Sequence, residues 1–573
     1  MTNSKKDRFV FLPLGGSGEI GMNMNLFGFG PKDKEKWIMV DCGVTFGDHN
    51  TPGIDLITPD HQFIKERSKD LIAIILTHAH EDHIGAVAHL WRDLRVPIYA
   101  TAFTAKMVDH KFKDLGLVIE PFLHTIPLKA KLALSPFNIE FISITHSIPE
   151  PNGLLITTPL GKVYHTGDWK FDPDPVLGDA TDFERLKQLK DENIRAVICD
   201  STNALDKGVS GSEASILHPM IQEIQSAKKG VAITTFASNV ARVKTLIKAA
   251  TEAGRHYSLL GRSLERIYEL GREMGYFENV PDPLSLEEAN KLPKSEIVLL
   301  CTGSQGEDRA ALGKLARDAH PMWRLTAGDT VIFSSKVIPG NEKSVAKILN
   351  QLCEKGVDIV TSKTADIHVS GHPCADELAE LYEIIKPEYA IPVHGEARHM
   401  QRHAQIALKA GVFGTEIPHN GDIIEIAPDF GWKQSVEAGR LYIDGSIVDD
   451  DLHGASAERK RLTYAGCAAI FVHLDRDNNL VGQPEVTAWG IPNLSHNNYH
   501  DTLDLYRTII FEAFNDMIEE DVNLSDNEIA EFIKRAFRRE VNRIWRKKPM
   551  THVTIHKIDA VKRKKKAPRN CQS

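Results

Sequence analysis

Three imidazoles and two carboxylates crowd into six positions, His78-Ala79-His80-Glu81-Asp82-His83. Borderline divalent metals such as zinc take imidazole with some carboxylate, and a catalytic site keeps one coordination position open for water. The cluster directly follows Leu71-Ile72-Ala73-Ile74-Ile75-Leu76, an apolar run that reads as a buried strand. The ligands therefore stand where a strand ends and a helix begins. His78 and His80 share strand parity and can face one metal, while Asp82 and His83 fall past the turn and can face a second. Further ligands of the right type follow in order, which a chance surface cluster would lack. His146 ends the strand Phe141–Thr145, Asp168 sits in the turn His165-Thr166-Gly167-Asp168, and His394 lies in Pro392-Val393-His394-Gly395-Glu396. Asp41 closes another strand, where it either orients a ligand histidine or caps its own turn.

The elements that must carry these residues change character along the chain. Short apolar strands dominate the first two hundred residues: Phe9–Leu14, Trp37–Asp41, Leu71–Leu76, Ile139–Ile144, Gly153–Thr158 and Ala196–Asp200. From about 211 helices and strands alternate: helix Ile216–Ala227, strand Val231–Phe236, helix Val240–Ala253, strands Ile297–Cys301 and Thr330–Ser334, helix Ser344–Lys355 and strand Val357–Thr361. That rhythm predicts a doubly wound α/β unit with a largely parallel sheet. Its Gly-rich junctions, Thr302 to Gly306 and Ile338 to Asn341, either present N–H groups to anions or are tight turns.

Histidines return after 366, so the α/β unit is expected to be an insertion. The predicted domains are 1–210 and 367–430 for the interrupted first domain, 211–366 for the insert, 431–451 for a linker and 452–560 for a small C-terminal α/β domain. A basic disordered tail is expected over 561–573. In the C-terminal domain a helix around Ile529–Trp545 places Ile529, Ile533, Phe537 and Ile544 near one face. Lys534, Arg535, Arg538, Arg539 and Arg543 mostly occupy the other, as a solvated face or an RNA-backbone or subunit contact.

At 573 residues the chain exceeds one core and predicts roughly three or four domains. It is 42% hydrophobic and 26% charged, with no apolar run near the roughly 20 residues of a membrane span. Seven scattered cysteines without a CxxC pair, and no visible signal peptide, predict a reducing cytoplasm. A net charge of −9 is weak evidence against a nucleic-acid partner.

The ordered set Asp, HxHxDH, His, Asp, His resembles the metallo-β-lactamase superfamily. That resemblance implies an α/β fold, an αββα sandwich, with one metal held by His78, His80 and His146. A second metal is implied at Asp82, His83 and His394, with Asp168 bridging, and Asp41 and Asp200 behind the ligands. The insert, with Asp200-Ser201-Thr202-Asn203, His372 and His394 as signature motifs, is similar to the β-CASP domain of RNA-processing nucleases, where a histidine at the third motif goes with RNA.

Within that group the chain most resembles the ribonuclease J family. Leu14-Gly15-Gly16-Ser17-Gly18-Glu19-Ile20-Gly21-Met22-Asn23, Thr235 to Asn239, Gly261-Arg262-Ser263, Thr302 to Gly306, Ile338 to Glu342 and His368 to His372 carry the likeness. It implies 5′-to-3′ exonuclease action on single-stranded 5′-monophosphorylated RNA, endonuclease activity, and a role in rRNA maturation and mRNA decay. Two divalent ions are implied, zinc by ligand type, with manganese or magnesium able to support turnover.

Hydroxide generated by the two metals, with Asp82 and Asp168 as catalytic ligands, would attack phosphorus and expel the 3′ oxygen, leaving a 5′-phosphate and a 3′-hydroxyl. His372 would act as general acid or only as a phosphate donor. Ala237, Ser238, Asn239, His368, Val369, Ser370 and Gly371 would bind substrate. The C-terminal domain resembles the family's dimerisation module, so a homodimer able to associate further is expected, with no membrane partner. The competing classes are a thioesterase or lactonase of the same superfamily and an RNA-binding scaffold with a degenerate site.

Overall fold

Strand Asp7–Gly15 is apolar on both faces, and the two faces enter different cores. Phe9 and Phe11 point into one cluster, Val10, Leu12 and Leu14 into another. A strand without a polar face must be covered on both sides. The protein is described from a computed structural model over residues 6–48, 50–338, 340–449, 454–494, 499–519 and 524–558. These residues divide into two compact units, within Met1–Thr45 plus Leu56–Val448 and within Phe46–Asp55 plus Asp449–Ser573.

In the first unit an eight-stranded sheet contains Asp7–Gly15, Met24–Pro31, Lys36–Val40 and Leu71–Ile75, and a seven-stranded sheet contains Phe137–Ser143, Asn152–Thr158, Gly161–His165, Ile194–Asp200 and Tyr389–Val393. They share a core of Phe9, Phe11, Phe27 and Ile75 from one and Phe141, Leu154, Ile198 and Ile391 from the other. Helices Val87–Leu94 and Ala102–Asp114 cover one outer face, and Phe183–Leu189, Ala375–Ile385 and Ala397–Lys409 the other. This is the expected αββα sandwich.

Its last strands arrive late in the chain. Asp422–Ala427 pairs antiparallel with Asp7–Gly15, and Tyr389–Val393 pairs parallel with Ile194–Asp200. Between them lies a five-stranded sheet, all parallel, with Val231–Thr234 at its centre. Helices such as Val240–Glu252 and Glu342–Glu354 flank it, as a doubly wound insert requires. Residues 431–449 carry strands Gly431–Ser435 and Arg440–Asp444, the first joining the eight-stranded sheet.

The second unit packs helices Tyr499–Glu519 and Asp526–Trp545 on a sheet of Glu485–Trp489, Cys467–Leu474 and Met550–Lys557. A capping box between Ser525 and Glu528 starts the second helix. Ile529, Ile533 and Phe537 are buried as expected, but Ile544 is 39% exposed and Val541 takes its place. The buried positions recur every four residues, and Ile544, three beyond Val541, falls off that stripe in the last turn.

Among the described residues no helix is long and apolar enough to cross a membrane, and six cysteines are free. The basic tail, Pro339 and Asp450-Asp451 lie outside the described residues.

The Phe27 ring packs 5.2 Å from Phe11 and 6.4 Å from Phe9 at the centre of the sandwich. Phe27→Ala should destabilise the first unit by about 3–5 kcal/mol. Thermal unfolding followed by near-ultraviolet circular dichroism would show it as a lower midpoint.

Candidate metal centre

The candidate ligands converge because each ends a strand of one of the two sheets. Leu71–Ile75 delivers His78 and His80, and the short helix Glu81–Ile84 brings Asp82 and His83 round the turn. Phe137–Ser143 delivers His146, Gly161–His165 delivers Asp168, and Tyr389–Val393 delivers His394, which has a left-handed φ of 50°. Lys36–Val40 stops one residue earlier than its apolar run suggested. Asp41 has φ 63°, and that turn aims its carboxylate under the ligand loop.

The inner ring nitrogens stand at ligand spacing. His78 Nε2 lies 3.1 Å from His80 Nδ1, which lies 3.0 Å from His146 Nε2. Asp82 Oδ2 is 3.7 Å from His83 Nε2 and 3.6 Å from His394 Nε2. Two atoms each bound at about 2.0–2.2 Å to one tetrahedral zinc sit roughly 3.3 Å apart. Between the sets lies Asp168 Oδ2, buried and without a hydrogen bond of good geometry. It is 3.8 Å from His78 and 3.9 Å from His146, and 3.2 Å from His83 and 3.5 Å from His394. One unbonded carboxylate oxygen facing both sets fits a pair of cations with a shared ligand.

Outer partners fix the rings with their inner nitrogens pointing inward. Asp41 Oδ1 accepts from the Thr77 N–H (2.8 Å), and Oδ2 accepts from His83 Nδ1 (2.7 Å). The Thr77 hydroxyl donates to Asp41 (2.9 Å), so His78 Nδ1, 3.0 Å away, donates to Thr77 Oγ1. His146 Nδ1 donates to the Gly371 carbonyl at 2.5 Å, and His394 Nδ1 to Asn23 Oδ1 at 3.0 Å. His80 turns the other way, with Nε2 3.5 Å from Ser147 Oγ. Asn23 Nδ2 also lies 3.0 Å from His83 Nε2, the one inner nitrogen of the set with an amide neighbour.

Burial depresses the pKa of His78 and His146 well below the usual histidine value and brings His80 to about 4, which keeps these rings neutral and ready to ligate. Burial would lower His83 too, but Asp168, Asp82 and Asp41 overcome it and raise it strongly. Burial works to raise Asp168, yet His394 and His83 hold it well below the carboxylate range. His165, next to this turn, is held at about 4 by burial and sits edge-on to Phe27 as a core residue.

The chain matches the description "Beta-lactamase superfamily domain" over residues 36–186 and "Ribonuclease J, beta-CASP domain" over 228–352. "Zn-dependent metallo-hydrolase RNA specificity domain" matches over 356–418 and "Ribonuclease J C-terminal domain" over 455–558. It is 41% identical to "Ribonuclease J" of Sinorhizobium meliloti across 97% of this chain and 98% of that one. The chain belongs to the ribonuclease J family. "Ribonuclease J" of Corynebacterium glutamicum is 34% identical over 95% of this chain and 75% of its own. "Ribonuclease J 1" of Streptococcus pyogenes is 35% identical over 86% and 88%. A solved protein of unknown function from Enterococcus faecalis shares the fold, with TM-score 0.51 and 15% identity over 73% of this chain and all of that one. Membership of the ribonuclease J family makes the chain a metal-dependent ribonuclease, and the family's zinc-dependent hydrolase part coincides with the segment that bears His368 to His394.

That segment meets the metal centre through Gly371, on His146, and through His372. His372 Nδ1 donates to Asp200 Oδ2 at 2.8 Å and lies 3.8 Å from Asp168 Oδ2. Burial would lower His372, but Asp200, with Asp168 and Asp82 behind it, raises it to about 9. Ser370 Oγ accepts from Asn203 Nδ2 (2.6 Å) and from the His372 N–H (3.2 Å). Ala237, Ser238 and Asn239 make no hydrogen bond to the metal centre among the described residues. Asn239 instead caps its helix, accepting from the Arg242 N–H at 2.8 Å.

Arg242, wholly buried, connects the two groups. It pairs with Glu213, donates to Ser334, lies 3.0 Å from His368 Nδ1, and donates to the Val369 carbonyl at 3.1 Å. Asn23, Thr77, Asn203 and Arg242 carry no role in the sequence reading. Asn23 and Asn203 stand there only inside quoted motifs, and Arg242, a cation among the buried positions of its helix, is a signal that could have been found.

Asp41→Asn keeps shape but removes the charge behind His83, so metal affinity should fall about 10- to 100-fold. Elemental analysis after dialysis against graded chelator measures it. A Cβ on Gly371 would stand 2.8 Å from His146 Cε1 and 3.0 Å from Nδ1. Gly371→Ala should therefore lower metal content while circular dichroism stays unchanged.

Proposed function

We propose that the chain degrades single-stranded RNA from a 5′-monophosphate end in the 5′-to-3′ direction and also cuts internally, in rRNA maturation and mRNA decay in the cytoplasm. One divalent ion is held by His78, His80 and His146, the other by Asp82, His83 and His394, and Asp168 serves both. Zinc suits these imidazoles, and manganese or magnesium supports turnover as an alternative. The observation that carries this reading is Asp168 Oδ2, buried, unbonded and within 3.9 Å of ring nitrogens from both sets. Bound there, the ions supply a nucleophile at neutral pH and offset charge on a phosphoryl oxygen.

The side chains do the rest. Thr77, Ser147, Asp41, Gly371 and Asn23 hold the imidazoles in place, so little reorganisation is needed when substrate arrives. His372 spends one nitrogen on Asp200, and its other is the candidate donor to the departing 3′ oxygen. Ser370 Oγ already accepts two hydrogen bonds, which directs its own proton onward to a substrate phosphate. Breaking the P–O3′ bond leaves a 3′-hydroxyl on one product and a 5′-phosphate on the next. The match of residues 356–418 to an RNA specificity domain supports RNA over a thioester or lactone. A homodimer, able to associate further, is the proposed assembly.

One RNA prepared with a 5′-monophosphate and with a 5′-triphosphate tests the end requirement. Mononucleotides should appear only from the monophosphate, and chelation should stop both exo- and endonucleolytic cleavage. His372→Ala should lower kcat about 10²- to 10⁴-fold with KM retained if it is the general acid. A raised KM with kcat retained would make it a phosphate contact instead.

A further inference from the structure

The C-terminal sheet is covered by its helices on one face only. Ile470, Val472 and Leu474 pack beneath them, and the intervening residues of the strand point the other way. Register aligns that second face: Trp489 stands opposite Cys467, Phe471 beside Thr554, and His473 beside His556. Trp489 is 59% exposed, His552 and His556 are exposed, and Phe471 and His473 are half-buried. The His556 ring lies nearly parallel to its neighbours, 5.7 Å from His473 and 6.4 Å from Phe471. Flat rings, spaced by Thr487, Thr554 and Ala469 with Glu485 opposite Phe471 and Met550 beside Cys467, suit stacking better than the aliphatic packing of an obligate subunit interface.

Positive charge gathers just before strand Met550–Lys557, whose first residue pairs with Cys467 as Trp489 does. Lys547 sits 4.2 Å over Tyr464 and 5.2 Å over Trp545, and donates to the Tyr464 carbonyl at 2.9 Å. Tyr464 is itself 66% exposed. Arg546, Lys547 and Lys548 come together before that strand, whereas the basic residues of helix Asp526–Trp545 belong to the layer on the covered side of the sheet. From Met550 to His556 the strand spans about 20 Å, and sheet-type RNA modules use such a face to stack two or three bases.

We propose that this face binds single-stranded RNA, its bases stacking on Trp489, Phe471 and His556 and its phosphates meeting Lys547 and its basic neighbours. The choice of polymer rests on the ribonuclease reading, and the surface is additional to the catalytic site. The test uses the full chain and a fluorescent 2′-O-methyl oligouridine, with anisotropy giving affinity.

The double variant Trp489→Ala, His556→Ala should bind about tenfold more weakly or worse. Its mass by light scattering and its cleavage of a short 5′-monophosphorylated RNA should stay unchanged. His552→Glu, an exposed change that only adds negative charge, should weaken binding in the same direction and guards against misfolding of the double variant. Affinity within twofold of wild type for both variants overturns the proposal. So does a loss of affinity that accompanies a halved mass, since the face would then hold a second copy of the chain. A wild-type protein that binds no RNA refutes the ribonuclease reading instead.

Discussion

A carboxylate taken out of water loses several kilocalories per mole of hydration unless opposite charge reaches it. Asp168 is 2% exposed, and its Oδ2 faces ring nitrogens of His78, His83, His146, His372 and His394 without a well-formed hydrogen bond. Positive charge must come to that point, and most of the first unit is arranged so that it can. Strands from both sheets end around it, because only strand ends can crowd many donors into one small volume while the backbone stays paired. His78 and His146 are locked by a partner on the far side, so their near sides present lone pairs in place of N–H groups.

The insert is tied to this centre by another buried charge. Arg242 reaches Glu213 where the chain enters the insert and Val369 where it leaves. Buried pairs of this kind add little net stability, but breaking one leaves an uncompensated charge, so they specify one arrangement over others. The parallel pairing of Ile194–Asp200 with Tyr389–Val393 closes the sandwich across the insertion. Asp200 and His394 thus emerge at neighbouring strand ends although 193 residues lie between them in sequence.

Much of this was legible in the sequence, for identifiable reasons. Strands buried on both faces are continuous apolar runs, and metal ligands are chemically conspicuous, so Leu71 to His83 and the later histidines stood out. Asp41 offered two readings, and the structure unites them: one oxygen caps the ligand loop and the other holds His83. The roles of Asn23 and Thr77 were invisible because common polar residues gain their meaning only from what folds beside them. The Gly371 carbonyl was invisible in principle, since every residue has one. Asn239, expected to meet substrate, also has a role the sequence reading did not give it, since its oxygen caps its own helix. Ile544 shows how a helical stripe blurs near its last turn, where four-residue recurrence from Ile529 to Val541 decided the buried face.

The contact between His146 and the Gly371 carbonyl joins two parts that are usually thought of separately. The segment proposed to meet the polymer is also an outer support of an imidazole in the candidate metal centre. Sequence drift that reshapes this segment for a different polymer also disturbs the ring behind it. Evolution of specificity here is thereby confined to routes that preserve the backbone of Gly371, with variation free to accumulate only in the side chains around it.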